Sequence, residues 1–90
     1  ASYYQILETM SIWLTKKGVK KLDAQKYITS LFLALSKDAV VNSKKDLKIL
    51  VKESQTPKGL NEQGLKELSK KGVYKSVTNT LNSIHKRLNK

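Results

Sequence analysis

Cysteine is absent from the 90-residue chain, which excludes a disulfide framework and any metal site built on thiolates. The single histidine, His85, cannot complete a transition-metal site of ordinary composition, and we interpret it as an exposed helical residue. The seven carboxylates are scattered, and none is paired at a spacing typical of a general acid and base. We therefore expect no catalytic residue and no metal site in this chain alone.

Long apolar runs and nucleotide-binding motifs are also missing. No stretch approaches the roughly 20 apolar residues of a membrane span, and no signal-peptide pattern is visible, so we expect a cytoplasmic protein. Neither a glycine-rich dinucleotide fingerprint nor a Walker sequence occurs, so the domain alone should bind no cofactor. The chain begins at Ala1 without an initiating methionine, and we expect a further domain upstream of it.

Arginine is scarce in a chain that is otherwise strongly basic. The net charge is +11, and only one of the 18 basic residues is arginine. Such a charge fits a nucleic-acid partner, but the lysines are spread along the chain at predicted helix ends and turns. We also find no aromatic residues interleaved with them as stacking platforms. We therefore expect a solvated lysine surface and no nucleic-acid partner.

Four glycines and one proline divide the sequence into segments whose apolar residues recur at helical spacing. The spacing predicts helices over residues 2–17, from 23 to 40, from 43 to before Thr56, from 61 to 71 and from 73 to 88. Ser2 with Gln5 is typical of a capping box, Asp23 of an N-cap, and Gly18 of a C-terminal cap. The prediction is an all-α single domain of about five helices over residues 1–90.

The second helix has more apolar surface than one face can hold. Residues 31–35 are apolar around the whole circumference, and such a helix is buried on all sides. Either a partner chain or the neighbouring helices of the same chain could cover it, and the pattern leaves both open. Where a partner covers it, we expect a dimer interface that comprises Ile28, Leu31, Phe32 and Leu35.

One polar segment stands out at residues 55–65, where a proline–glycine turn leads into a helix N-terminus. The N–H groups of such a terminus are unpaired and carry partial positive charge. Thr56 and Asn61 add polar side chains, and Lys58 adds a full positive charge. The pattern indicates either a carboxylate or phosphate site or an ordinary turn in which Asn61 caps the helix.

The order of these parts resembles the C-terminal domain of pyrroline-5-carboxylate reductase. Residues 1–4 are similar to the G-P-A-Y-F helix start of that family, and residues 10–14 with 17–19 are similar to its E-A-L-A-D-x-G-V stretch. Residues 56–65 resemble S-P-G-G-T-T-x-x-G-L, and residues 68–73 resemble L-E-x-x-G-F. The match runs across nearly the whole chain.

The resemblance implies a bacterial NAD(P)H-dependent reductase of proline biosynthesis, with an N-terminal Rossmann domain that is not part of this chain. It implies that the helical domain interlocks with a second copy as a homodimer, and that the proline–glycine loop binds a small carboxylate substrate. By position, Thr56 replaces a serine, the backbone of Lys58, Gly59 and Leu60 surrounds the carboxylate, and Asn61 replaces a threonine.

The loop departs from the family pattern in ways that widen the choice of function. Lys58 stands where the family motif has a glycine. A backbone conformation that only glycine adopts easily can therefore be lost at this position. Leu60 cannot donate the hydrogen bond of the threonine that it replaces. A reductase homologue with another substrate, such as a late-competence-type relative, is therefore an alternative. Two others are a small basic nucleic-acid-binding module and a helical adaptor without an enzyme context.

Overall fold

The structure, a computed structural model, describes residues 1–89, and the chain divides into two compact units, Ala1–Lys44 and Lys45–Lys90. No strand occurs among the described residues. None of their helices is long and apolar enough to cross a membrane. The all-α prediction is confirmed, with helices at α1 (Ser2–Lys16), α2 (Lys21–Val41), α3 (Leu47–Glu53), α4 (Leu60–Lys70) and α5 (Val73–Leu88).

In the first unit, α1 and α2 form a hairpin through a tight turn. Gly18 adopts a φ of 103°, a left-handed conformation that glycine takes without steric cost. Its N–H donates to the carbonyl of Thr15 at 3.0 Å, and the N–H of Val19 donates to that of Leu14 at 3.1 Å. These two bonds form a Schellman motif, so the predicted cap at Gly18 is confirmed.

The buried residues of this hairpin are few and come from both helices. α1 contributes Leu7 and Ser11, and α2 contributes Ala24 and Ile28, each pair at a spacing of four. Ala24 is completely buried, because its small side chain lets the two backbones approach closely. These four residues make up the buried core of the described chain.

In the second unit, α4 packs against α5, and Gly72 joins them with a φ of 78°. α3 begins at an N-cap, Asp46, whose Oδ1 accepts a 2.9 Å hydrogen bond from the N–H of Lys48. Within residues 45–89 no residue is fully buried. The second unit therefore folds around half-buried residues such as Leu50 and Leu65.

The predicted capping box of α1 and the predicted starts of α2 and α3 are wrong, whereas α1 begins at Ser2 as predicted. The N-cap of α1 is Ala1, and the Gln5 side chain donates to Glu8 at 3.1 Å, so no capping box with Ser2 forms. α2 begins at Lys21, which places Asp23 inside the first turn. The chain reaches α2 early because the Schellman turn leaves Lys20 already extended, with a ψ of 143°.

The third helix, unlike α2, begins later than predicted. It starts at Leu47, because Asp46 and not Ser43 caps it. In contrast, α5 has the predicted bounds, Val73–Leu88.

The chain exposes far more surface than a compact fold of its mass. Its accessible surface is 8489 Å². A compact monomer of 10.2 kDa exposes about 5,300 Å², and two separate compact bodies of half that mass expose about 6,400 Å² together. The excess of roughly 2,000 Å² over the second figure therefore does not depend on how the two units are placed. It is surface that each unit fails to cover for itself.

Candidate functional site

The turn before α4 consists of Thr56, Pro57, Lys58 and Gly59 and is closed by a hydrogen bond between its ends. The N–H of Gly59 donates to the carbonyl of Thr56 at 2.7 Å. Pro57 fixes the φ of the second position, and Lys58 has a φ of 62° at the third, as in a type II turn. A side chain in this left-handed region costs roughly 1–2 kcal/mol. Lys58 is thus held in a conformation that glycine would adopt more easily.

Gly59 is required by close packing within the turn. A Cβ built on Gly59 would lie 2.8 Å from the carbonyl oxygen of Thr56, which is closer than van der Waals contact allows. Gly59 is also the N-cap of α4, with extended backbone angles. The absence of a side chain at this position therefore lets the turn close directly onto the helix.

Asn61 links the start of α4 to the end of α3. Its Nδ2 donates a 3.0 Å hydrogen bond to the backbone carbonyl of Ser54, seven residues earlier. The interpretation of Asn61 as the N-cap of α4 is wrong, because Gly59 occupies that position and Asn61 lies within the helix. The side chain instead braces the two sides of the turn.

The first turn of α4 presents unpaired backbone donors. The first helical hydrogen bond runs from the N–H of Gln63 to the carbonyl of Gly59 at 3.1 Å, so the N–H groups of residues 60–62 have no partner within the helix. Leu60 is 86% exposed and leaves them accessible. Glu62, whose carboxylate lies in the same turn, is paired with Lys66 at 3.1 Å. Unpaired backbone donors of this kind suit an anion, and the carboxylate nearest to them is already held in an ion pair.

The predicted interface residues on α2 pass from the core to the surface. Ile28 is 3% exposed in a single copy of the chain, Leu31 and Phe32 are half-buried, and Leu35 is 56% exposed. The Phe32 ring meets the Tyr3 ring edge-on at 6.2 Å between centroids. The outer part of this row is therefore available to a partner, whereas its inner end belongs to the hairpin core.

The sequence did not reveal a groove along the α1–α2 hairpin. The groove has a volume of about 570 Å³ and is lined by both helices of the first unit. Leu7, Ser11 and Ile28 form its buried part, and Tyr4 and Ile12 lie exposed at its side. Its presence depends on the distance between two helices, for which helical spacing gives no signal.

A second uncovered apolar surface lies on α5. The row was predicted as a packing stripe, and a single copy of the chain covers it only in part. Its members share one helix face and are 40–78% exposed. This α5 stripe consists of Val73, Val77, Leu81, Ile84 and Leu88.

The whole chain, residues 1–90, matches the family model described as pyrroline-5-carboxylate reductase dimerisation. The chain belongs to this dimerisation family. Membership implies self-association and supports a reductase of this type as the parent protein. Searches among curated proteins and among solved structures gave no significant match.

The turn at residues 56–59 is tight although its third residue is a lysine. Lys58 holds a positive φ, which answers the concern raised by the resemblance that a conformation favouring glycine is lost there. Gly59 stands at the position where a Cβ would clash. The segment therefore forms a tight turn against a helix N-terminus.

One aromatic residue lies beside a lysine near the end of α1. The Nζ of Lys17 lies 5.6 Å from the centroid of the Trp13 ring, and Trp13 is 58% exposed. At this distance the ammonium interacts with the ring face, so the ring is already occupied by a cation from its own helix.

Proposed function

We propose that the chain is the dimerisation and substrate-loop domain of a cytoplasmic, NAD(P)H-dependent pyrroline-5-carboxylate reductase-like oxidoreductase. The family match over residues 1–90 carries this proposal. The parent enzyme has an N-terminal Rossmann domain, and residues 1–90 form its helical C-terminal domain. The fit of the helical domain to a dimer is supported by the uncovered apolar surface of both units.

The proposed dimer has a surface of adequate size. The excess of roughly 2,000 Å² per chain gives about 4,000 Å² for two copies, within the range of obligate homodimers. Leu31, Phe32 and Leu35 contribute apolar contacts, and Ile28 supports them from the hairpin core. Because a single copy buries so little, folding and pairing of the two chains occur together.

The proposed substrate site is the turn that precedes α4. A substrate carboxylate lies against the backbone of Lys58, Gly59 and Leu60. It accepts hydrogen bonds from the N–H groups of Lys58 and Leu60 and from the Thr56 hydroxyl, because the N–H of Gly59 already closes the turn. Asn61 maintains the turn through its bond to Ser54 and offers its second amide hydrogen to the substrate. The partial positive charge of the helix N-terminus favours the bound anion.

The residues of this chain do not fit a dinucleotide, because they include neither a strand nor a glycine-rich phosphate cradle within the described part. The cofactor is therefore assigned to the Rossmann domain, where NAD(P)H supplies the hydride for reduction of a cyclic imine. The contribution of residues 56–61 is to fix the substrate carboxylate and thereby orient the ring.

A reductase homologue with another carboxylate substrate is the second candidate. The observation that favours it is the replacement of glycine and threonine by Lys58 and Leu60 in the turn. Lys58 adds a positive charge, and the exposed Leu60 adds apolar surface where a hydroxyl donor would stand. These changes suit a substrate that differs from pyrroline-5-carboxylate beyond the shared carboxylate.

Turnover of pyrroline-5-carboxylate by the full-length protein tests the proposal. The reaction is monitored by the loss of NADH or NADPH absorbance. We expect turnover, and we expect Thr56→Ala to raise KM several-fold because one hydroxyl donor is lost. Thr78→Ala, a change at an exposed threonine of α5, is the matched control and should leave KM unchanged. A stable dimer that oxidises no cofactor with this substrate would favour the homologue instead.

A further inference from the structure

The turn between α1 and α2 carries a cluster of lysines that no carboxylate neutralises. Four of the six residues from 16 to 21 are lysines, and all four are exposed. Within residues 1–89 the ion pairs join Lys45 to Glu53 and Lys66 to Glu62, so they include none of these four. We define the lysine-rich turn as Lys16, Lys17, Lys20 and Lys21.

Two of the four lysines lie where the helix dipole opposes them. Lys16 and Lys17 lie at the end of α1, where the partial negative charge of a helix C-terminus favours a cation. Lys20 is the N-cap of α2 and Lys21 is its first residue, where the partial charge is positive. Asp23 is the one acidic residue in the first turn of α2. The lysine-rich turn therefore holds an excess of positive charge that makes α2 less stable.

The second unit contains a comparable turn that closes without this excess. Residues 14–19 have the sequence Leu-Thr-Lys-Lys-Gly-Val, and residues 68–73 have the sequence Leu-Ser-Lys-Lys-Gly-Val. In both turns the glycine has a left-handed φ, and its N–H donates to the carbonyl three residues earlier at 3.0 Å. The second turn continues with Tyr74, where the first has Lys20. A lysine at position 20 is therefore not needed to join two helices, and the fold alone does not account for it.

Exposed apolar side chains flank the lysine-rich turn. Trp13 is 58% exposed, and Leu22, which follows Lys21 directly, is 78% exposed. Tryptophan rings lie at the headgroup level of membranes, and lysine stems lie along apolar surface while their ammonium groups reach outward. Lysine clusters of this size on a helical segment are typical of proteins that bind anionic lipids. We propose that the lysine-rich turn docks on an anionic lipid surface.

In the docked state the lysine ammonium groups contact lipid phosphates, and Leu22 and Trp13 enter the region between headgroups and acyl chains. The contact relieves the repulsion among the lysines and covers apolar side chains that the hairpin leaves in water. The inference goes beyond the proposed function, because it assigns a partner to residues that the proposed substrate site and dimer interface do not include.

A duplex nucleic acid fits these residues less well than a lipid surface does. Its phosphates would pair with the lysines, but Leu22 would lie against a charged backbone. Lys17 covers one face of the Trp13 ring at 5.6 Å. The turn also contains no arginine, which is the residue that binds phosphates and bases with two parallel hydrogen bonds. A lipid surface uses both the charge and the apolar side chains.

Co-sedimentation of the full-length protein with lipid vesicles tests the inference. One set of vesicles contains equal parts of phosphatidylglycerol and phosphatidylcholine, and the other contains phosphatidylcholine alone. We expect binding to the anionic vesicles that weakens as salt is added, and at least about ten-fold weaker binding to the neutral vesicles. Equal binding to both would overturn the inference.

Replacement of Lys20 by serine and of Lys21 by glutamate separates binding from folding. Lys20→Ser supplies a preferred N-cap and Lys21→Glu suits the helix dipole, so this double variant should be at least as stable as the parent. Each lysine near an anionic lipid surface strengthens binding about five-fold, so anionic vesicles should bind at least about 25-fold more weakly. Lys44→Ser with Lys75→Glu removes the same charge at exposed positions outside the turn. This matched control should lose less than about three-fold, because salt screens charges that lie away from the lipid.

Leu22→Ser tests the apolar contact without a change of charge. The side chain is largely in water, so the fold should not depend on it. Vesicle binding should weaken about ten-fold, because a leucine no longer leaves water on docking. Unchanged binding would mean that charge acts alone and would overturn docking on a lipid surface.

Two other results would also overturn the inference. If the matched control lost as much binding as the Lys20 and Lys21 double variant, net charge and not this turn would bind the vesicles. If duplex DNA bound more tightly than the vesicles and displaced them, the turn would belong to a nucleic-acid partner. Turnover is not the readout in these experiments, so each result leaves the proposed function standing.

Discussion

The side-chain Nδ2 of Asn61 lies 3.0 Å from the backbone carbonyl oxygen of Ser54 and donates a hydrogen bond to it. This bond joins the last turn of α3 to the first turn of α4 across the proline–glycine turn. A second bond, from the N–H of Gly59 to the carbonyl of Thr56, closes the turn inside it. The shape of the candidate carboxylate site therefore depends on two hydrogen bonds that cannot be inferred from the sequence motif.

Removal of the Asn61 amide should loosen the turn. Asn61→Ala deletes the bond to Ser54, and a hydrogen bond of this kind contributes about 0.5–1.5 kcal/mol to stability. We expect a loss of that size in urea unfolding, together with faster hydrogen exchange at Gly59. Asn82→Ala, at an exposed position of α5, provides the control. Unchanged exchange at Gly59 would show that the turn holds its shape without Asn61.

Lys58→Gly should stabilise the turn. The change relieves about 1–2 kcal/mol of left-handed strain but gives the unfolded chain about 0.5–1 kcal/mol more backbone freedom. We expect a net gain of about 0–1.5 kcal/mol in denaturant unfolding. Lys58→Val, which is branched at Cβ, should lose stability at the same position. A gain for valine or a loss for glycine would contradict the positive φ of Lys58.

Gly59→Ala should have the opposite sign from Lys58→Gly. The added Cβ would lie 2.8 Å from the Thr56 carbonyl oxygen, so the turn must open or the helix must shift. We expect a loss of about 1–3 kcal/mol in urea unfolding and a raised KM in the full-length enzyme. Gly64→Ala is the matched control, because a Cβ there meets no atom within 4 Å and alanine favours the helix. Equal destabilisation by both would show that the turn does not constrain Gly59.

Leu35→Asp should separate the dimer. Leu35 is 56% exposed in one copy, so the change would cost little in a chain that functions alone. Within an interface the new carboxylate is buried without a partner, which is strongly unfavourable. We expect sedimentation to show dissociation or unfolding at tens of micromolar. Val41→Asp, at an 83% exposed position at the end of the same helix, should remain dimeric.

Thermal unfolding should depend on protein concentration. If folding requires two chains, a hundred-fold dilution should lower the Tm by roughly 5–10 °C. Calorimetry or circular dichroism at several concentrations measures this directly. A Tm that stays constant on dilution would mean that each chain is stable by itself, in spite of its small core.

Nucleic-acid binding by the lysine-rich turn between α1 and α2 should be weak. Lys17 lies over one face of the Trp13 ring, and a base would have to compete with it for that face. We expect no submicromolar binding to duplex DNA at low salt. Submicromolar binding that is lost on changing Lys16, Lys20 and Lys21 to glutamine, and kept on changing Lys44, Lys70 and Lys71, would revive the nucleic-acid alternative.

The fold was predictable where local chemistry decides it. The spacing of apolar residues gave α5 its correct bounds, and Gly18 marked the end of α1 because only a left-handed residue closes a Schellman turn there. The starts of α2 and α4 were missed because they depend on the backbone conformation of the residue with which the preceding turn ends. Lys20 is already extended after Val19, and Gly59 is extended before Leu60, so each helix begins ahead of its expected cap.

The candidate site was predictable only as a segment. The motif located residues 56–61, but the bond from Asn61 to Ser54 joins residues seven apart, and no periodicity reports it. Similarly, the α5 stripe was visible as a pattern, whereas its exposure depends on which surfaces a single chain can reach. Apolar spacing indicates that a face will be buried, and it does not say by which chain.

The thin core between α1 and α2 has a genetic consequence. Where two chains complete each other's fold, a damaged copy does not fail in isolation, because it also withdraws surface from the intact copy with which it pairs. In a cell that expresses both forms in equal amounts, random pairing gives about three quarters of the dimers at least one damaged chain. Only a damaged chain that still pairs has this effect. A substitution that weakens the fold but permits pairing, such as Gly59→Ala, should therefore behave as a dominant allele, whereas one that abolishes pairing, such as Leu35→Asp, should be recessive.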